Sequence, residues 1–539
     1  MDISPTTALL NDDDDDTVEG AVDYRGRPVL RSKTGGWRSA VLVLGVEVTE
    51  RFAFFGIESN LITYLTGPFR QSTANAATSV NLWFGTSLMM PLLGAFIADS
   101  YLGRYTMIIA SSVLYILGLG FLSLSATLPS LRPPDSCPTP GSCPAPTLFQ
   151  VAFFFAALYM VALAQGGHRP CVQAFGADQF DPRHPEEIKS RSNFFNWWYF
   201  AFKAAILLSL WTVTYIQDNV SWGLGFFITA VPMAAALLVF FLGNFSFRHI
   251  VAKEQSSVSR IGLLILQSFR RKSNRVDDDD RPIRSQLPGE QKESRALLQL
   301  VAICATCIMF GAIGVQTSTL YTKQASTMIR KIGPNFEVPP ASLQTFNCVA
   351  SFLALPLYDF VVVPVSRSLI THEKRGLSML QRIGLGLGMT SAVMVVAALV
   401  EARRLAAAAA AAATAGSSTT VPMSVAWLIP QYVLYGASEA VTAVGLQEFF
   451  YDQVPDGLRS VGLALYLSVF GMGNFISGFL ITAIDKASGA FGESWFAADV
   501  NRGHLDYFYW LLAALNTLAL GLFVYTAGFY VYRTKAGDE

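Results

Sequence analysis

Glu47-Val48-Thr49-Glu50-Arg51-Phe52-Ala53-Phe54-Phe55-Gly56-Ile57-Glu58 lies inside an otherwise apolar run that extends from about residue 40 to about residue 65. A run of roughly 20 apolar residues is what a helix needs to cross a bilayer core of about 30 Å. An ionisable group at mid-bilayer costs about 2.5–3.5 kcal/mol, so it normally faces a cavity or a partner. Glu47 and Glu50 are three apart and Glu47 and Arg51 four apart, which places all three on one helical face. Glu58 is eleven residues on from Glu47, about three turns, and is expected to return to that face. Two carboxylates beside one guanidinium cannot titrate independently. Such a cluster suits a carrier that takes up a proton on one side of a membrane and releases it on the other. The competing reading is a static buried ion pair that holds helices together.

Outward from this stretch, the whole chain has the composition of a membrane protein. Of its 539 residues 52% are hydrophobic and 14% charged, against roughly 25% charged in soluble domains. The mean hydropathy is +0.40. A formal net charge of +0 argues against nucleic acid, which would require a basic surface. Six cysteines are too few for a disulfide scaffold. Windows long enough to span occur about twelve times, at approximately 40–65, 76–98, 104–128, 148–170, 192–215, 222–245, 296–320, 344–364, 380–400, 425–446, 460–484 and 505–531.

The expected architecture is an all-α membrane protein of about twelve transmembrane helices in two six-helix halves. Residues 1–39 read as a disordered cytoplasmic tail carrying the run Asp12–Asp16, and no cleavable signal peptide opens the chain. Bundles over 40–245 and 296–533 follow, joined by a polar central loop over 246–295 that holds Asp277–Asp280, and residues 534–539 form a second tail. Inside segments then carry about 27 Lys and Arg against about 9 outside, which puts both termini in the cytoplasm. Cys137 and Cys143 would face the exterior, and whether they pair is left open. The Ala406–Ala413 stretch reads as a low-complexity outer loop. Cys304-x-x-Cys307 falls inside a span, where small packing residues are the better reading than a redox motif.

Other charges fall within spans: Arg169 and Lys203 in the first half, Asp359 and Glu439 in the second. Acid in one half facing base in the other suits a central site between two repeats. His168, beside Arg169, reads as a hydrogen-bonded spacer, with titration near neutral pH as the alternative. Lys203 either snorkels to the interface or faces the cavity, and the cavity is the expectation. No polar catalytic cluster, cofactor motif or metal-ligand spacing is present, so an enzyme is not expected.

Four motifs together resemble the proton-coupled oligopeptide transporter superfamily, in the form of its plant nitrate/peptide transporter branch. They are Glu47-x-x-Glu50-Arg51-Phe52-Ala53; Gly94-Ala95-Phe96-Ile97-Ala98-Asp99-Ser100-Tyr101-Leu102-Gly103-Arg104-Tyr105; Gly166-Gly167-His168-Arg169-Pro170 through Asp181; and Ser192-Asn193-Phe194-Phe195-Asn196-Trp197-Trp198-Tyr199-Phe200. The resemblance implies a major facilitator fold with alternating access driven by protons. It implies that Glu47, Glu50 and Arg51 handle protons, that Arg169 pairs with them or with a substrate carboxylate, and that Glu439 meets a substrate amine in peptide carriers. Asp99 and Arg104 would brace the inside-closed state.

Departures from the pattern bear on substrate. Phe54 and Phe55 stand where peptide carriers have tyrosines, and Arg169 stands for the usual Lys. Gly311 through Gln316 lacks a histidine known from nitrate carriers, and Gln316 is assigned to the substrate site with Arg169, Lys203, Phe54, Phe55 and Glu439. Phe84, Trp197 and Trp198 would add aromatic area if they face inward. The expectation is a symporter for nitrate or a small organic anion in a multi-pass protein, with the plasma membrane preferred to the vacuolar membrane. The alternatives are a di- or tripeptide symporter and a ligand sensor that does not transport. Protons, a small molecule and the lipid bilayer are the partners expected.

Overall fold

In a computed structural model, residues 17–133, 145–250, 288–334, 336–365, 377–415, 420–453, 459–497 and 499–530 are described. Apart from short strands, the chain is helical. The helices are α1 (Gly36–Glu58), α2 (Leu61–Thr66), α3 (Thr73–Ile97), α4 (Arg104–Thr127), α5 (Leu148–Ala177), α6 (Pro185–Asn219) and α7 (Trp222–Leu242). They continue as α8 (Pro288–Gly314), α9 (Leu320–Ser326), α10 (Gln344–Leu357), α11 (Met379–Ala415), α12 (Ile429–Asp452), α13 (Arg459–Ala490) and α14 (Leu505–Gly528). Ten helical segments among the described residues are long and apolar enough to cross a membrane. The two further long helices, α1 and α12, carry Glu47, Glu50 and Arg51 in one case and Glu439 in the other. Five-residue π turns close both α3, at Ala98–Leu102, and α10, at Tyr358–Val362. The second turn contains Asp359, whose side chain lies outside the described residues.

The chain divides into two compact units, one comprising Met1–Gly56, Met90–Arg132 and Phe149–Ser256, the other Ile57–Met89, Pro133–Leu148 and Ser257–Glu539. In the first unit, Val43, Val46, Val172, Phe175, Phe194 and Phe240 share one buried core. Helices approach closely where glycine removes the side chain. A Cβ on Gly94 would collide with the Gly166 backbone, and one on Gly166 with Met90. Small residues are how helices gain contact where lipid offers no hydrophobic drive.

Residues 17–35 depart from the disordered tail expected there. Strand β1 (Thr17–Val22) pairs antiparallel with β2 (Pro28–Leu30) and with β3 (His249–Ile250), which follows α7. The residue that pins this sheet is Arg248, 1% exposed. Its guanidinium donates to the Thr34 carbonyl and to Glu187 at 2.7 Å each. Beside it Arg31 pairs with Asp181 at 2.9 Å. Burial raises the Asp181 carboxyl, but the Arg183 amide and the Arg31 guanidinium outweigh it and hold the group below its ordinary value.

In the second unit, Ser477 on α13 accepts from Asn81 at 2.9 Å and from Gln316 at 2.8 Å. Helix α11 continues to Ala415, so the Ala406–Ala413 stretch is helical rather than a loop. Alanine has the best helix propensity of all residues, and polarity alone did not mark an end. Cys304 and Cys307 are both buried and unpaired, as packing residues on α8 would be. Asp12–Asp16, Cys137, Cys143, Asp277–Asp280 and residues 534–539 lie outside the described residues.

In an exposed helix interior Gly→Ala is favourable by up to about 1 kcal/mol. Gly94→Ala should have the opposite sign, costing about 1–3 kcal/mol by overpacking against backbone. Gly120→Ala, whose new methyl meets nothing within 4 Å, should be neutral or stabilising. Heating detergent-solubilised protein and measuring what remains monodisperse separates the two; equal melting would remove the close approach at Gly94.

Candidate functional site

Helix α1 delivers its three charges to one place, as the spacing requires. Arg51 Nε lies 2.6 Å from Glu47 Oε1 and 3.2 Å from Glu50 Oε2. The three side chains are 3%, 1% and 0% exposed, so the charges meet with almost no solvent between them. Coulomb attraction at such distances is several times stronger than in water. From α4, the Tyr115 hydroxyl donates to Glu50 Oε1 at 3.3 Å. From α5 comes His168, fully buried, its ring 6.3 Å from that of Tyr115. One donor atom each from Glu47, Glu50 and His168 lie within 4.8 Å of one another. Arg169 is half-buried and close enough to act electrostatically on Glu50.

Aromatic rings close the cluster. Arg51 lies over the Phe202 ring at 5.1 Å, and Lys203 Nζ is 5.8 Å from the same ring and 5.9 Å from Tyr199. Cations over ring faces are held by the quadrupole of the π system. Lys203 therefore shares the Phe202 ring with Arg51. Phe54 packs edge-on against Phe55, and Phe55 against Phe202 at 6.4 Å. Trp198 is packed into the core against Phe194, whereas Trp197 is 57% exposed.

Several atoms of the cluster lack hydrogen bonds. Glu47 Oε2, Glu50 Oε2 and both ring nitrogens of His168 are buried without one. The hydrogen-bonded spacer expected at His168 is thus corrected: the ring is buried but unbonded. The neighbouring Gln165, one turn earlier on α5, is in the same condition. A second buried pair, in the second unit, shows the contrast. Arg404 is bidentate to Glu401 at 2.7 Å twice, and adds Asn501 at 2.6 Å, Thr327 at 3.0 Å and the Val500 carbonyl at 3.0 Å. Gln324 donates to Glu401 at 2.6 Å. A fully satisfied buried network rigidifies, whereas a partly satisfied one retains unmet bonding capacity. By that criterion Glu401–Arg404 is a brace and Glu47–Glu50–Arg51 is not. The donor types around His168 would suit a divalent metal, but Arg51 already engages both carboxylates, and with Arg169 it offsets their charge.

The remaining expected residues lie elsewhere. Glu58, the last residue of α1, is buried in the second unit with Ser318 as its hydrogen-bond partner. Gln316 is fully buried and donates its amide to Ser477 and to the Ala312 carbonyl. Glu439 is half-buried on α12, electrostatically close to Tyr435, which stacks on Phe310 at 5.9 Å. Arg104 lies 3.8 Å from Asp99, but its nearer partner is Asp178, which spacing could not reveal across 74 residues. Tyr115 was missed because one tyrosine in an apolar run carries no periodic signal.

The chain is similar to known proteins along nearly its whole length. The POT family profile matches residues 105–496. The Arabidopsis thaliana protein NRT1/PTR FAMILY 5.10 is 49% identical, covering 95% of this chain and 96% of the relative. NRT1/PTR FAMILY 5.16 from the same plant is 45% identical over 96% and 97%. In fold the chain is similar to an auto-inhibited POT family peptide transporter, with a TM-score of 0.71 at 19% identity over 93% of this chain and 98% of that one.

Removing Arg51 leaves two buried carboxylates facing each other. Arg51→Ala should cost about 3–5 kcal/mol of stability. Glu47→Gln or Glu50→Gln alone should cost less, since a charge is removed with its partner's need for it. Adding both glutamines to Arg51→Ala should restore most of the loss, read as thermal stability of the purified protein in a mutant cycle. An Arg51→Ala protein as stable as wild type would contradict the shared pairing.

Proposed function

The chain belongs to the POT family of proton-coupled transporters, and from that premise we propose that it is a symporter for nitrate or a small organic anion. Members of this family are transporters, not enzymes. In this reading residues 40–245 and 296–533 are the two six-helix halves, with both termini cytoplasmic and the plasma membrane as the site of action. Glu47, Glu50 and Arg51 couple the proton, and Arg169 anchors the anion with Lys203 beside it.

The observation that carries the proposal is the single guanidinium of Arg51 divided between two buried carboxylates, one oxygen of each lacking a hydrogen bond. With both carboxylates ionised, Arg51 and Arg169 balance them. Adding a proton to either one leaves a surplus positive charge in a desolvated site, and an anion arriving at Arg169 cancels it. Proton and anion then enter together and neither is favoured alone. Arginine holds its charge at any physiological pH, so release must be triggered by the carboxylate and not by the anchor. Phe54, Phe55 and Phe202 make the surroundings apolar, which favours a flat organic carboxylate or nitrate over a short polar peptide. Glu439 supports the second reading, a di- or tripeptide, because a half-buried carboxylate can receive an amine.

Uptake into oocytes under an inward proton gradient tests this over nitrate, small carboxylates and dipeptides. Glu47→Gln and Glu50→Gln should each abolish accumulation with surface protein unchanged. Arg169→Gln should raise KM for the anion about tenfold or more, the equivalent of one lost charge-assisted contact of about 1.5–3 kcal/mol. Lys203→Met should weaken affinity to a lesser degree. A dipeptide that displaces the best anion at comparable concentration, and only while Glu439 is intact, would reverse the substrate order.

A further inference from the structure

His168 is a buried titratable group of the first unit to which the proton–anion coupling assigns no part. It is fully buried, yet neither ring nitrogen has a hydrogen-bond partner. A neutral imidazole carries one N–H to donate and one lone pair to fill, and leaving both unmet in a dry site is costly. The charged and polar groups around it lie on four helices. Glu47, Glu50 and Arg51 of α1 and Tyr115 of α4 are its neighbours in the cluster; Gln165 and Arg169 lie near it in sequence on its own helix; Lys203 of α6 is 5.8 Å from the Phe202 ring over which Arg51 lies. A nitrogen of His168 and an oxygen of each carboxylate fall within 4.8 Å of one another. The unbonded oxygens of Glu47 and Glu50 belong to the same cluster.

A divalent ion would engage three such donors, but Arg51 and Arg169 already balance the two carboxylates. A dication would add two uncompensated charges to a desolvated site, whereas a proton adds one. Moving a proton already present from a carboxylic acid to the imidazole adds none.

We propose that His168 is the third proton-handling group of this transporter, taking the proton from Glu47 or Glu50 and passing it on toward water. In the step, the carboxylic O–H bond breaks and an N–H bond forms at the ring nitrogen that lacked hydrogen. The restored carboxylate pairs again with Arg51. The resulting imidazolium then loses a proton from one nitrogen to water on the side to which the pathway opens, and the neutral ring is regenerated. The total charge of the cluster is the same before and after the hop. The proposal rests on the coupling role of Glu47 and Glu50, since a proton must reach one of them first.

The test uses full-length protein and whichever of nitrate, a small aromatic carboxylate and a dipeptide the wild type accumulates. His168→Gln keeps hydrogen-bonding groups but cannot carry a proton, and His168→Asn serves where the first variant fails to reach the membrane. Gradient-driven uptake should fall at least about tenfold, and its dependence on external pH between about pH 5 and 8 should flatten. Exchange of substrate at equal pH should fall less than about threefold, because exchange needs no net proton transfer. A wild-type rate and pH profile in the glutamine variant overturns the proposal. So does equal loss of exchange and gradient-driven uptake in inserted protein, since that is the signature of packing alone. Accumulation that survives Glu47→Gln and Glu50→Gln would instead remove the coupling reading itself. Loss of accumulation in those two with no effect at His168 removes only the proton relay through the imidazole.

Discussion

The shared guanidinium of Arg51 is the constraint around which the first unit is arranged. Two carboxylates a few ångströms apart in a medium of low dielectric repel strongly, and only a cation between them lets both remain. That requirement sets the spacing on α1. It also explains the shell: Tyr115 donates to one carboxylate, Phe202 covers the guanidinium, and Phe54 and Phe55 pack at the adjoining surface. Each of these either stabilises the charges or keeps water from dissipating them.

Three arginine–carboxylate assemblies in this chain do different work, and hydrogen-bond satisfaction tells them apart. Arg248 with Glu187 ties the N-terminal hairpin to the segment after α7, with the Thr34 carbonyl completing its bonding. Glu401 with Arg404 is saturated on both sides and sits among backbone and amide partners that do not titrate. Only the Arg51 cluster, among these three, combines buried carboxylates with unbonded oxygens and a titratable imidazole alongside. Buried assemblies with very different bonding can thus share the same residue types. What separates them is whether any bonding capacity remains unused.

The motifs and most helices were readable because each depends on local order. Hydropathy marks a span wherever about twenty apolar residues follow one another, and i, i+3 and i+4 spacing brings charges to one face whatever the fold around them. The misses have a common cause as well. The hairpin at residues 17–30 depends on β3, more than two hundred residues later, and on Arg248. Helix α11 outran its apolar window because alanine continues a helix that hydropathy alone would end. The partners Asp178 for Arg104 and Ser318 for Glu58 come from distant parts of the chain.

By itself, the sequence determined that the chain is a helical membrane protein and that Glu47, Glu50 and Arg51 form one cluster, because length, hydropathy and helical pitch are local quantities; the transporter reading came from the resemblance of its four motifs to a family. Only the tertiary structure decided which other groups enter that cluster. His168, Tyr115 and Phe202 come from three further helices, and their approach is set by packing, including the glycine contact between Gly94 and Gly166. The same packing turned Trp198 into core and left Trp197 exposed, although the two are adjacent in the chain. Neighbours on a helix point about 100° apart, and which direction is inward is a property of the surroundings and not of the residue.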